Sequence, residues 1–403
     1  MQFYSVSWLI VASLSTFFIV FLGIPKIVSI AKLKRLFDDY RDERKIHSGF
    51  IPNIGGIVLV IGFVIGLSLK PSSIAIPGYN FLIASLLVLF IAGVKDDLLV
   101  ISPAKKLIAQ FIAATLIIFG ADLKIVSFGG VFGLGELPLL LSITVTYAVF
   151  IVMINAINLL DGIDGLAASV TCLSVLLFSG LFYVTGQFGL FTCCIILAVS
   201  YGTFLIHNWA PAQIFMGDTG SLVAGFLLAF TGIHFLNTGL ALGPVAFWQP
   251  FIPVILVSIL VLPLYDTLRV ILVRLLNGKS PLYPDNNHVH HQVISVGLNH
   301  AQATFLLIIM NIIIVGFTFA GSYILNSPNT LLLLTIILSI ILFPTVSIKR
   351  KLIQTINPNL IFATTADLSD EQTGISTAID VTEEKLNGEM VEPAKTTEKA
   401  DVK

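Results

Sequence analysis

Charge is what this sequence has least of. Only 11% of its 403 residues are Asp, Glu, Lys or Arg, against 56% hydrophobic residues, where a soluble domain carries about 25% charged residues. A chain so poor in charge cannot cover itself with a solvated surface, and the bilayer is its expected solvent. A basic excess is missing too: the net charge of −1 leaves no electrostatic footprint for nucleic acid. Cysteine is nearly absent. Cys172, Cys193 and Cys194 all lie inside apolar runs, so they read as small core hydrophobes rather than a disulfide or metal framework. The first residues, MQFYSVSWLIV, lack the basic region and small-residue cleavage site of a secretory leader, and no cleaved signal peptide is expected.

What is present in quantity is long apolar runs. Eleven read as transmembrane helices: 7–30, 51–69, 80–95, 104–120, 138–155, 166–185, 188–207, 219–236, 248–268, 302–324 and 329–348. The expected fold is an all-α polytopic membrane protein. An odd number of spans puts the termini on opposite sides, and Lys and Arg decide which. Lys32, Lys34, Arg35, Arg41, Arg44 and Lys45 lie between the first two runs, Lys105 and Lys106 after the third, Arg269, Arg274 and Lys279 after the ninth, and Lys349 to Lys351 after the last; the other side has Lys70 and Lys124. The N-terminus is therefore expected outside and the C-terminus in the cytoplasm. Residues 1–350 form the membrane domain. Residues 351–403, rich in Thr, Glu, Lys and Ala without apolar periodicity, read as a cytoplasmic, disordered tail.

Polar residues gather in five places: Arg44-Lys45-Ile46-His47 with Pro52 to Gly56; Lys95-Asp96-Asp97; Asn155 to Gly165; His207-Asn208 with Phe215 to Gly220; and Pro284 to His291. With the topology above, all five fall on the cytoplasmic face, which describes a polar site at the inner membrane surface. Asp96 and Asp97 could bind magnesium, take a proton or attack, or simply be solvated at a helix end. Asn158, Asp161 and Asp164 are spaced by three, so two or three could face one ligand from a helix. Gly217-Asp218-Thr219-Gly220 resembles a tight turn feeding a helix N-terminus, where phosphate is favoured and Asp218 suits a phosphate-bound cation or serves as a plain cap. His288, His290 and His291 suit a transition metal, phosphate or plain solvation; no Cys or HExxH partner accompanies them. Lys45, His47, Lys105 and Lys106 could hold polyanionic phosphates or merely obey the positive-inside rule. Carboxylates with amide oxygens fit a hard cation shared with phosphate, magnesium or alternatively manganese, and point to phosphoryl transfer.

Together these motifs resemble the polyprenyl-phosphate N-acetylhexosamine-1-phosphate transferases. RKIHSGFIPNIGG (44–56), DD (96–97), NAINLLDGIDGLA (155–167), FMGDTGS (215–221) and SPLYPDNNHVHH (280–291) carry the resemblance, which covers about residues 35–305. The HVHH segment is more similar to the bacterial N-acetylglucosamine-1-phosphate branch than to the peptidoglycan cousin. The resemblance implies that Asp96 and Asp97 lie near the acceptor phosphate, followed by Lys106. It implies that Asp218 binds magnesium with Asn158 as a further ligand or diphosphate contact. Asp161, Asp164 and Asn208 match nucleotide-site positions; His288, His290 and His291 match a histidine motif near sugar and phosphates; Lys45 and His47 match a basic first loop. The implied substrates are UDP-N-acetylglucosamine and undecaprenyl phosphate, giving undecaprenyl-diphospho-N-acetylglucosamine and UMP, with another UDP-N-acetyl sugar as the rival donor. Direct displacement is the expected mechanism and a covalent aspartyl intermediate its competitor. By analogy with the cousin, a homodimer is plausible. A secondary transporter is the rival class, but transporter sites sit near the bilayer midplane, whereas these clusters sit at one face.

Overall fold

A computed structural model of the chain describes residues 2–34, 51–242, 248–276, 278 and 288–343, with side chains from residue 7 onward. Helices occupy the apolar runs: α1 (Gln2–Lys34), α2 (Gly55–Ser68), α3 (Tyr79–Leu99), α4 (Pro103–Thr115, continued by a π-turn Leu116–Gly120), α5 (Leu139–Leu160), α6 (Leu166–Val184), α7 (Phe188–Asn208), α8 (Gly217–Leu240), α9 (Ile252–Ile259), α10 (Val261–Leu276), the short α11 (Val289–Ile294), α12 (His300–Ile324) and α13 (Pro328–Leu342). Seven of the described helices are long and apolar enough to cross a membrane, or eight if the α9–α10 pair is one broken span. The expectation of eleven crossings therefore exceeds what length and composition support. Helices α2 and α13 are apolar but short, and α3 ends in Lys95, Asp96 and Asp97.

Helix α8 is the axis of the bundle. Its apolar window is 94% buried, and α2, α3, α5 and α6 all pack on it. Lipid tails supply no hydrophobic drive between helices, so association rests on close backbone approach and shared hydrogen bonds. Gly93 of α3 shows the first: a Cβ there would lie 2.4 Å from the Thr219 Cα. The second is seen where Ser200 donates to the Leu59 carbonyl at 2.8 Å and Ser85 to the Ala113 carbonyl at 2.9 Å. Buried hydroxyls thus find acceptors where no water is available.

Helices α9 and α10 meet at 67°. Pro263 has no N–H to give the Ile259 carbonyl four residues earlier, which frees that oxygen and lets the helix bend. Ser174 Oγ (3.4 Å) and Asn311 Nδ2 (3.5 Å), from α6 and α12, approach it instead. A small hairpin, unexpected from the sequence, precedes α5: Ser127 and Glu136 form an antiparallel bridge, and Leu137 N–H donates to the Val126 carbonyl at 2.9 Å. An apolar cavity of about 310 Å³ lies between α5, α8 and the bent pair, lined among others by Val149, Met153, Leu228, Leu256 and Leu264.

Candidate active site

The last turn of α3 meets the first turn of α8. A helix N-terminus presents unsatisfied N–H groups and a partial positive charge, and here Asp97 fills it. Its carboxylate accepts from Asp218 N–H (2.7 Å), Thr219 N–H (3.1 Å) and Thr219 Oγ1 (2.5 Å). This corrects the expectation that phosphate occupies that helix end: an internal carboxylate already does. Gly217, at φ +66°, makes the turn that aims these donors. The 52–56 segment holds the same turn by backbone pairing: Phe215 N–H donates to the Pro52 carbonyl (2.8 Å), and Gly55 and Gly56 N–H donate to Phe215 (3.0 Å) and Met216 (2.8 Å) carbonyls.

Asp96 faces the other way. One oxygen lies 2.6 Å from Lys106 Nζ and the other accepts Ile101 N–H at 2.6 Å. Lys106 also donates to Asp218 Oδ2, so its ammonium bridges the two carboxylates. Asn158 Nδ2 donates to Asp218 Oδ1 (2.7 Å) and Ser221 Oγ (2.9 Å), and its amide oxygen accepts no hydrogen bond among the described residues. One turn away on each helix, Gln110 and Asn155 exchange amide hydrogen bonds at 2.9 and 3.3 Å and tie α4 to α5.

The equal spacing of Asn158, Asp161 and Asp164 does not make one helical face. Helix α5 stops at Leu160, and Asp161 to Gly165 form a turn before α6. Only Asn158 projects from helix. Asp164 holds loops together: it accepts Ala212 N–H (3.1 Å), its carbonyl accepts from Thr304 Oγ1 (2.9 Å), and His300 Nδ1 lies 3.3 Å from its Oδ1. Asn208, buried, accepts Gly165 N–H (3.0 Å) and donates to the Ile214 carbonyl (2.9 Å). Both its polar groups serve backbone rather than an open pocket. We expect Asn208→Leu to leave two buried backbone groups unpaired, at a cost of about 2–4 kcal/mol, read as a lower melting temperature; an unchanged melting point would contradict this role.

Asp161 accepts no hydrogen bond among the described residues. Burial first, then the neighbouring carboxylates of Asp218, Asp97 and Asp164, push its carboxyl well above the usual range. Among the described residues the cluster sets Asp96, Asp97, Asp161 and Asp218 against the ammonium of Lys106. Like charges so close favour protonation or a bound cation. No three His, Cys, Asp or Glu of the described residues form a ready cage. Carboxylate and amide oxygens with few protein ligands do fit magnesium, which keeps water and phosphate oxygens in its shell.

The histidines close the other flank. His290 is buried and abuts the turn: a Cβ on Gly162 would lie 2.2 Å from its Nε2. Neither ring nitrogen has a partner among the described residues. Burial first and His291 second push its pKa down to about 3, so the ring is neutral across the physiological range. Its ring lies 5.7 Å from His288, near parallel at 9°, and 4.3 Å from His291. His288 Nδ1 meets Asp266 Oδ2 at 2.8 Å. Asp266 and His300 were not anticipated. Asp266 had a signal, a carboxylate within an expected span; His300 had none. Lys45, His47 and the 351–403 tail lie outside the described residues.

Comparison with known proteins shows which sequences this chain resembles. The sequence model of glycosyl transferase family 4 matches residues 79–236. The chain is 31% identical over 297 residues to the decaprenyl-phosphate N-acetylglucosaminephosphotransferase of Mycolicibacterium smegmatis, covering 66% of this chain and 71% of that one. It is 28% identical over 307 residues to the probable undecaprenyl-phosphate N-acetylglucosaminyl 1-phosphate transferase of Bacillus subtilis, covering 76% and 82%. The undecaprenyl-phosphate alpha-N-acetylglucosaminyl 1-phosphate transferase of Escherichia coli K12 is 28% identical over 310 residues, covering 74% and 80%.

Proposed function

The chain belongs to glycosyl transferase family 4, and we propose that it transfers N-acetylglucosamine 1-phosphate from UDP-N-acetylglucosamine to undecaprenyl phosphate, releasing UMP. The observation that carries the reading is the convergence of Asp96, Lys106, Asn158, Asp161, Asp218 and His290 at one end of the bundle, contributed by five separate segments. The site lies on the cytoplasmic face of a bacterial inner membrane, with the N-terminus outside, as the Lys and Arg distribution favours. In this arrangement the eleven apolar segments cross or enter the bilayer, the shorter ones by local thinning or by flanking residues that reach to the interface. The product then starts a cell-envelope polysaccharide.

An acceptor phosphate oxygen attacks the β-phosphorus of the nucleotide sugar. The bond from that phosphorus to the bridging oxygen breaks, and UMP leaves with the electron pair. Asp96 or Asp97 would orient the acceptor phosphate or accept its last proton: Asp96 is held by Lys106 and the Ile101 N–H, and Asp97 by the first turn of α8. Lys106 neutralises charge on the transferring group. Asp218, Asp161 and the amide oxygen of Asn158 would hold magnesium, which when bound offsets the diphosphate charge. Neither ring nitrogen of His290 has a partner among the described residues, and the ring would meet sugar or phosphate oxygens. The apolar cavity beside α5 and α8 gives the isoprenoid tail a wall that matches its chemistry.

Purified protein in detergent, given undecaprenyl phosphate, magnesium and radiolabelled UDP-N-acetylglucosamine, should release UMP and move label into the lipid phase. Chelation of magnesium should abolish both. Transfer from a different UDP-N-acetyl sugar alone would keep the chemistry and change the donor. No transfer from any UDP-sugar by a well-folded preparation would overturn the reading.

A further inference from the structure

Asp266 has no place in the transfer chemistry just described, yet it is among the most committed side chains in the molecule. It is 2% exposed and sits on α10, one turn beyond Pro263 and past the 67° bend that separates α10 from α9. One carboxylate oxygen lies 2.8 Å from His288 Nδ1. The other accepts Val289 N–H at 2.8 Å and is approached by Arg269 Nη2 at 3.4 Å.

A carboxylate is an acceptor only, so the nitrogen facing it must carry a proton. His288 is thereby fixed as the Nδ1–H form, and in the neutral ring the lone pair belongs to Nε2. The Val289 contact adds a second restraint, on the backbone at the start of α11, so ring and peptide are held by the same group. From His288 the contact continues to the parallel ring of His290 and on to Gly162, beside Asp161. A carboxylate that orients a histidine in this way sets both tautomer and angle; where the histidine binds a metal, losing the carboxylate costs about 10–100-fold in affinity or activity, and a loss of that order is expected here.

We propose that Asp266 is a positioning residue for sugar-phosphate transfer: from the broken span it fixes His288 as the Nδ1–H tautomer and seats the histidine segment against the Asp161 turn. This rests on the transferase reading, but its first test does not. In wild-type protein carrying isotopically labelled histidine, the NMR signal that disappears in His288→Gln should be that of an Nδ1–H tautomer, with no substrate present. An Nε2–H tautomer overturns the proposal, whatever the enzyme's activity.

The second test uses Asp266→Asn, which preserves shape and an acceptor for Val289 N–H. Its amide can donate to Nδ1, so the His288 signal should shift to the Nε2–H form. The turnover number should fall about 10–100-fold, while the melting temperature stays near that of wild type. In a His288→Gln background the same substitution should change turnover by less than about twofold, because residues acting through one another are non-additive. Equal losses in both backgrounds, or full activity in Asp266→Asn, overturn the proposal. Should that variant fail to fold, the wild-type tautomer still decides. Wild-type protein that transfers no sugar phosphate would refute the transferase reading separately.

Discussion

Asp218→Asn should lower transfer by about 10³-fold or more while leaving the protein as stable as wild type, or more so. The first half follows from charge. Asp218 accepts from Lys106 and Asn158 at the point where the carboxylates converge, and a neutral amide is a weak ligand for a hard divalent cation. If Asp218 holds the proposed cation, its loss would remove most of the electrostatic stabilisation on which phosphoryl transfer depends. The second half follows from the same crowding: Asp161 is held near Asp218, Asp97 and Asp164, and removing one negative charge relieves repulsion in the folded state. Turnover at saturating magnesium and a melting curve in detergent check both halves. Activity within tenfold of wild type would show that Asp218 does not hold the cation.

Gly217→Ala should lose both fold and activity. The residue sits at φ +66°, a conformation that costs a residue with a Cβ about 1–2 kcal/mol. The added carbon would lie 2.0 Å from the Asn53 carbonyl oxygen and 2.7 Å from Asp97 Oδ1. The first neighbour is backbone, so relief requires moving the 52–56 segment or the turn itself. Either breaks the three hydrogen bonds by which Asp97 caps α8. Strain and uncapping together should destabilise by about 3–5 kcal/mol, seen as a collapse of the melting transition and of transfer activity. Wild-type melting in this variant would refute the account.

Much of this was legible in the sequence because a membrane imposes a simple rule: every backbone group must be satisfied locally, so a long apolar run becomes a helix. The clusters at the ends of those runs were legible for the complementary reason, that polar residues are expensive anywhere else. What escaped was the use each polar group makes of its neighbours. Asp97 looked available to substrate, but its partners are 121 and 122 positions away. Asp164 and Asn208 looked like pocket residues and spend their hydrogen bonds on loops. The three-residue spacing of Asn158, Asp161 and Asp164 suggested a helical face because local periodicity cannot reveal that α5 ends at Leu160. The 67° break hid in an ordinary apolar run, although Pro263 marked it.

The position of the histidine segment bears on how the protein is made. Asp161 and Gly162 are synthesised more than a hundred residues before His290 arrives to cover them, and Asp97 waits just as long for the first turn of α8. Through most of translation the chain therefore carries unpaired carboxylates at helix ends, which can remain hydrated only at the edge of the bilayer. Insertion of the early helices cannot itself produce a working enzyme. Completion of the site is a late event, set by the emergence of α11.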